Sequence, residues 1–89
     1  MQKQKTRISE IKELARKFTP QQIETCIIQQ LAEGQNVCDI SGPTEHVINE
    51  LSKAEFVREL MEKGMPMTEA VRELAKRIRM AQIAFKERV

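Results

Sequence analysis

Apolar residues in this chain return every third or fourth position rather than every second, the spacing of amphipathic helices and not of half-buried strands. Ile8, Ile11, Leu14, Ala15 and Phe18 predict a short first helix, capped by Thr6 or Ser9 and preceded by polar residues 1–7 that are expected to fray. A second helix has the strongest start signal: Thr19 as N-cap, Pro20 at the first helical position and Gln22 placed to reach back to the cap, with Phe18 stapling onto Ile23. Ile23, Cys26, Ile27 and Leu31 should line its buried face, Ile28 should widen it, and Gly34 should stop it in the left-handed conformation. Residues 35–43 are the one long irregular connection. Asn36, Asp39, Ser41, Gly42 and Pro43 form turns there, while Val37, Cys38 and Ile40 are apolar enough to tuck under the helices. The segment is either a packed crossover or a functional loop.

From about Thr44 a broad stripe runs through Val47, Ile48, Leu51, Ala54, Val57, Leu60 and Met61. Ser52 followed by Glu55 also reads as a capping box, which favours a bend or break between Leu51 and Lys53. Gly64 closes this region, Met65-Pro66-Met67 makes a turn, and Thr68 caps a last helix reaching about Lys86. Its seam of Met67, Val71, Leu74, Ile78, Ala81 and Phe85 is too short for a coiled coil. The expected fold is all-α, a compact bundle of four to five helices in a single domain spanning residues 1–89. The second helix and the pair from Ser52 to Phe85 should form its core, with a helix-turn-helix-like pair at the C-terminus.

The stretch from Glu59 to Leu74 resembles the first half of helix-turn-helix DNA-binding domains: apolar residues precede Gly64, Met65 follows it, and Glu69-Ala70-Val71 leads to Leu74. After Leu74 the chain departs from the family, continuing Ala75-Lys76-Arg77-Ile78-Arg79-Met80 without the glycine or cap that would begin a separate recognition helix. The resemblance implies that Thr68, Glu69 and Arg72 would meet base edges. Glu69 would then face phosphate.

Charge sharpens this picture. The net charge is +2, but residues 1–18 carry six Lys/Arg against two Glu, residues 19–66 three Lys/Arg against eight Asp/Glu, and residues 67–89 six Lys/Arg against three Glu. Basic ends and an acidic middle could attract nucleic acid, or let the ends lie against the acidic middle of the same or a neighbouring copy, and the second is favoured. On the last helix Arg72, Lys76, Arg79 and Lys86 form a basic stripe opposite the seam. Part of that stripe is ordinary intrahelical pairing, Glu69 with Arg72 and Glu73 with Lys76 or Arg77.

Met80, Ile83 and Ala84 lie off the seam, so the second half of the helix is apolar on more than one side. A second subunit would cover it. Homodimerisation through Val71, Leu74, Ile78, Met80, Ala81, Ile83 and Phe85 is therefore the specific expectation, with a different protein partner as a variant of it. Met61, Met65, Met67 and Met80 cluster around the turn and this helix, either as gap-filling core or as an adaptable partner surface.

Candidate chemistry is sparse. Cys26, Cys38, Asp39 and His46 are the only candidates for metal or redox chemistry, and the second alternative to an assembly role is a thiol or metal sensor built on Cys26, Cys38 and His46. They lack a Cys-x-x-Cys pair, and the expected state is two buried thiols in a reducing compartment. No glycine-rich phosphate loop, acidic calcium loop or aromatic platform for single strands occurs. The sequence thus predicts neither an enzyme nor a cofactor. No segment approaches the roughly 18 apolar residues of a membrane span, and the basic start leads into no signal-peptide core, so a cytoplasmic location is expected.

Overall fold

In a computed structural model the backbone is described for residues 7–88 and the side chains for residues 8–82. Four helices follow one another: α1 (Arg7–Lys17), α2 (Pro20–Glu33), α3 (Thr44–Glu62) and α4 (Met67–Arg88). The expected fraying of residues 1–7 lies outside the described residues for 1–6, and Arg7 already belongs to α1.

The start of α2 forms as its residues dictate. Thr19 Oγ1 accepts from the Gln22 amide at 3.2 Å, and Gln22 Oε1 accepts from the Thr19 amide at 2.9 Å, a closed capping box with Pro20 at the first position. Gly34 ends the helix at φ 76°, its amide donating to the Gln30 carbonyl at 2.9 Å. At the other end of α3, Gly64 (φ 103°) donates to Met61 O at 3.0 Å while Met65 donates to Leu60 O at 3.1 Å. That double bond pattern satisfies two otherwise orphaned carbonyls and fixes the reversal into α4.

α3 is the hub, with α1, α2 and α4 each packed on it. Val47, Leu51, Ala54 and Val57 are fully buried along it, and they meet Ile11, Leu14 and Ala15 of α1, Ile23 and Cys26 of α2, and Ala70 and Leu74 of α4 in one core. The core is thus wider than expected, because α1 contributes a full face. α3 is also one continuous helix across Leu51–Lys53, without a break there. The buried stripe runs straight through that region from Leu51 to Ala54, and Ser52 points its hydroxyl-bearing side chain to solvent, where it costs the helix little.

α2 differs from expectation on one side. Gln30, not Leu31, completes its buried face, leaving Leu31 67% and Ile28 58% exposed. A glutamine is tolerated in the interior because every polar group finds a partner. Its Nε2 donates to Thr44 Oγ1 at 2.9 Å, its Oε1 accepts from Asn36 Nδ2 at 2.8 Å, and Asn36 also donates to the Ile40 carbonyl and accepts from the Cys38 amide. Residues 35–43 are therefore a packed crossover, with Cys38 and Ile40 buried and Asp39 in the left-handed region at φ 68°.

The crossover is also tied covalently. Cys26 and Cys38 form a disulfide across a sequence separation of 12, which corrects the expectation of two free thiols. The Gln30–Asn36 network folds the loop back along α2 and brings the two sulfurs together, a tertiary effect that sequence spacing does not reveal. α1 is fastened differently: the half-buried Arg58 of α3 donates to the carbonyls of Ala15 at 2.9 Å and Arg16 at 3.3 Å and pairs with Glu62 at 3.0 Å. A cation thus closes the negative end of α1.

Glu50 is the unusual member of the interior. It is 1% exposed; its Oε2 lies 3.7 Å from Lys53 Nζ, and its Oε1 has no hydrogen-bond partner. Such an orphaned oxygen is costly, and a buried ion pair of imperfect geometry is often less stabilising than an apolar side chain. Glu50→Met should therefore raise the unfolding free energy by about 1–2 kcal/mol, seen as a later urea midpoint with unchanged slope. The disulfide predicts the opposite change: reduction should cost about 3 kcal/mol by freeing a short loop in the unfolded chain, and thermal melts with and without reductant measure it.

Candidate interaction surface

α4 is 22 residues long, about 33 Å at the helical rise, and among its described side chains those up to Leu74 are the better covered. Ala70 and Leu74 are buried against α3, and Met67, Val71 and Ile78 are half-covered. From Ala75 to Gln82 every residue except Ile78 is exposed, Met80 at 63%. The helix starts two residues earlier than a Thr68 cap predicts, at Met67, with the Ala70 amide bonded to the Pro66 carbonyl at 2.9 Å; Thr68 therefore lies within the first turn and is not its cap. Proline presents a carbonyl there without needing a donor, so the turn makes the cap itself.

The residues proposed for the partner interface separate into two groups. Leu74 is spent on the intrachain core, and Val71 and Ile78 line a cleft of about 280 Å³ between α1 and α4, together with Ile8, Ile11, Lys53 and Arg79. Met80 and Ala81 face solvent, while the side chains of Ile83, Phe85 and Lys86 lie outside those described. Met61, Met65 and Met67 pack against the core as gap-fillers around the turn, leaving Met80 as the exposed one.

The basic stripe is real as geometry. Arg72, Lys76 and Arg79 are all exposed, Lys76 lying 3.7 Å from Glu73 in a weak surface pair. Arg77 takes a different course: its guanidinium sits over the Phe56 ring at 5.2 Å, bracing α4 against α3 by a cation–π contact. Thr68 and Glu69, the other residues singled out for base contact, are exposed in the first turn beside Arg72.

Cys26, Cys38 and His46 do not assemble as a ligand set. The two sulfurs are bonded to each other, and His46 lies in the first turn of α3 beside Pro43, Asn49, Glu50 and Lys53. Among the described residues no group of three His, Cys, Asp or Glu converges as metal ligands.

One feature escaped the sequence entirely. Glu24 on α2 and Glu55 on α3 share a hydrogen bond, with Glu59 one turn further along α3. Burial withdraws water from Glu55, Glu24 bonds to its protonated form, and the charges of Glu24 and Glu59 oppose its ionisation, which together raise its pKa from about 4.5 to about 7. Only the antiparallel packing of α2 on α3 creates this juxtaposition. Three of the acidic residues of the middle segment, Glu24, Glu55 and Glu59, are thus brought together where α2 meets α3. No family model, curated protein or solved structure matches the chain. Among the described residues no helix is long and apolar enough to cross a membrane.

The carboxyl pair fixes a pH dependence. Between about 4.5 and about 7 the folded state holds a proton on Glu55 that the unfolded chain releases, so stability is greatest at the acidic end and falls as pH rises through this window. Glu55→Gln should flatten the curve from pH 5 to 8 and exceed the parent in stability at pH 8. Unfolding curves across that range measure both effects; a parent whose stability rose with pH would contradict the assignment.

Proposed function

We propose that the protein is a non-catalytic helical interaction module that self-associates through α4, in particular its exposed stretch from Ala75 to Gln82. The observation that carries this reading is the run from Ala75 to Gln82, in which an amphipathic helix leaves Met80 and Ala81 in water while its basic residues face outward. A chain of this size buries only a modest share of its surface, and a second subunit is an economical source of further core. The cytoplasmic setting expected from the sequence would require the Cys26–Cys38 bond to form transiently, since reducing compartments hold cysteines as thiols. Protein isolated with that bond intact favours an oxidising compartment.

A second reading draws support from the exposed cations Arg72, Lys76 and Arg79 on one face of the α3–α4 pair: a small helix-turn-helix-like regulator that binds nucleic acid. Its affinity would be dominated by phosphate contacts and would fall steeply with salt. Size exclusion with light scattering, with absorbance at 260 and 280 nm recorded on the same peak, separates the two. The expected result is a concentration-dependent dimer free of nucleic acid, whose dissociation constant rises at least about tenfold in Met80→Glu/Ala81→Glu, both positions being exposed enough to leave the fold intact. A monomer that carries nucleic acid until salt removes it would replace this reading with the second.

A further inference from the structure

α2 is packed on one side only. Its buried face holds Ile23, Cys26 and Gln30, and its opposite face carries Glu24, Ile28 and Leu31 at positions i, i+4 and i+7, one continuous stripe. Two large aliphatic side chains in water on one stripe are unusual for a surface helix, whose outer face is ordinarily polar. The stripe is also one-signed: α2 contains Glu24 and Glu33 and no Lys or Arg. Through the Glu24–Glu55 bond it continues onto α3, where Glu55 and Glu59 extend it as a row of carboxylates.

The outer face of α4 has the complementary composition. Arg72 and Lys76 are exposed there, and Met80 follows one turn beyond Lys76. Each surface is a small apolar patch set among charges, of opposite sign in the two cases. Neither is satisfied within the chain, because α2 and α4 both spend their core-facing residues on α3.

We infer that the α2 stripe of Glu24, Ile28 and Leu31, extended by Glu55 and Glu59, is the docking surface for the outer face of α4 of a second copy of this chain. This rests on the self-association proposed above and names the mate of α4 in it: α4 of one copy lies on α2 of the other, and not on α4. Two copies can exchange the contact twice about a two-fold axis, so the assembly closes as a dimer. The charge pattern sets the register, Arg72 and Lys76 toward the carboxylates and Met80 toward Ile28 and Leu31. The same pattern disfavours α4 on α4, where cations would meet cations. A cation brought against Glu24 and Glu55 also relieves the crowding that holds Glu55 protonated.

The test is complementation between two variants of the oxidised full chain. In the acceptor variant, Ile28→Gln/Leu31→Gln, both positions are more than half exposed; in the donor variant, Lys76→Glu/Met80→Gln, both are exposed as well, and circular dichroism checks that helix content is retained. Each alone should dissociate at least about tenfold more readily than the parent, as loss of a central interface contact does. An equimolar mixture should recover a dimer containing one of each in native mass spectrometry, because one intact acceptor still meets one intact donor. An acceptor variant that dimerises as the parent does would overturn the inference while leaving α4-mediated association standing. Two monomeric variants that fail to complement would also overturn it. A parent that is itself monomeric at all concentrations would instead remove the underlying proposal.

Discussion

The burial of α3 on three sides is the constraint on which the rest of this structure depends. Val47, Leu51, Ala54 and Val57 present a broad ridge with no exposure at all, and each of the other helices makes its principal packing against it. Alanines at the contacts let the helices approach closely: Ala15 on α1, Ala54 on α3 and Ala70 on α4 are each completely buried. One consequence is that the periphery has little to pack against except the hub. α1, α2 and α4 are satellites whose second faces are exposed to water or to another molecule.

The ends of the satellites are secured by polar and covalent devices rather than by more apolar area. The α2–α3 crossover combines the Gln30–Asn36–Thr44 hydrogen bonds with the Cys26–Cys38 bond, so a segment with few apolar residues is held as firmly as a helix. α1 is held at its C-terminus by Arg58, and α4 is started by the Gly64 reversal and braced by Arg77 on Phe56. These attachments all lie before Ile78. Beyond Ile78 the described part of α4 has no comparable anchor, and it is the part whose composition suits a partner.

What could be read from sequence follows the distance over which each signal acts. The capping box at Thr19–Gln22 and the stop at Gly34 are local chemistry and form as their residues dictate. The reversal at Gly64 is equally local. Leu31 and Gln30 exchange their expected places because burial on α2 is decided by Asn36 and Thr44, residues supplied by the crossover and by the next helix. Ser52 suggests a cap in isolation and is overruled by the stripe on either side of it. Of the surface argued to be functional, the α4 half was legible in the exposed Arg72, Lys76, Arg79 and Met80, though Leu74 belongs to the core. The α2 half was hidden: Glu24 and Glu55 are 31 positions apart, and nothing but the antiparallel packing joins them.

The segregation of charge gains a physical meaning from this arrangement. Had the acidic middle and the basic C-terminal helix met within one chain, α4 would lie across α2 and the aliphatic residues Ile28, Leu31 and Met80 would be covered. Instead α4 departs from α3 on the side set by Leu74 and Arg77, and all three remain in water. The same hub that makes the monomer fold therefore prevents the chain from neutralising itself. Crowded carboxylates on one face and unscreened cations on another raise the energy of the isolated molecule, and both terms fall when opposite faces of two molecules meet. Apolar area gives such a contact its strength, while the charges decide which faces come together. A fold built around one central helix thus leaves Ile28, Leu31 and Met80 outermost, where the proposed contact would cover them.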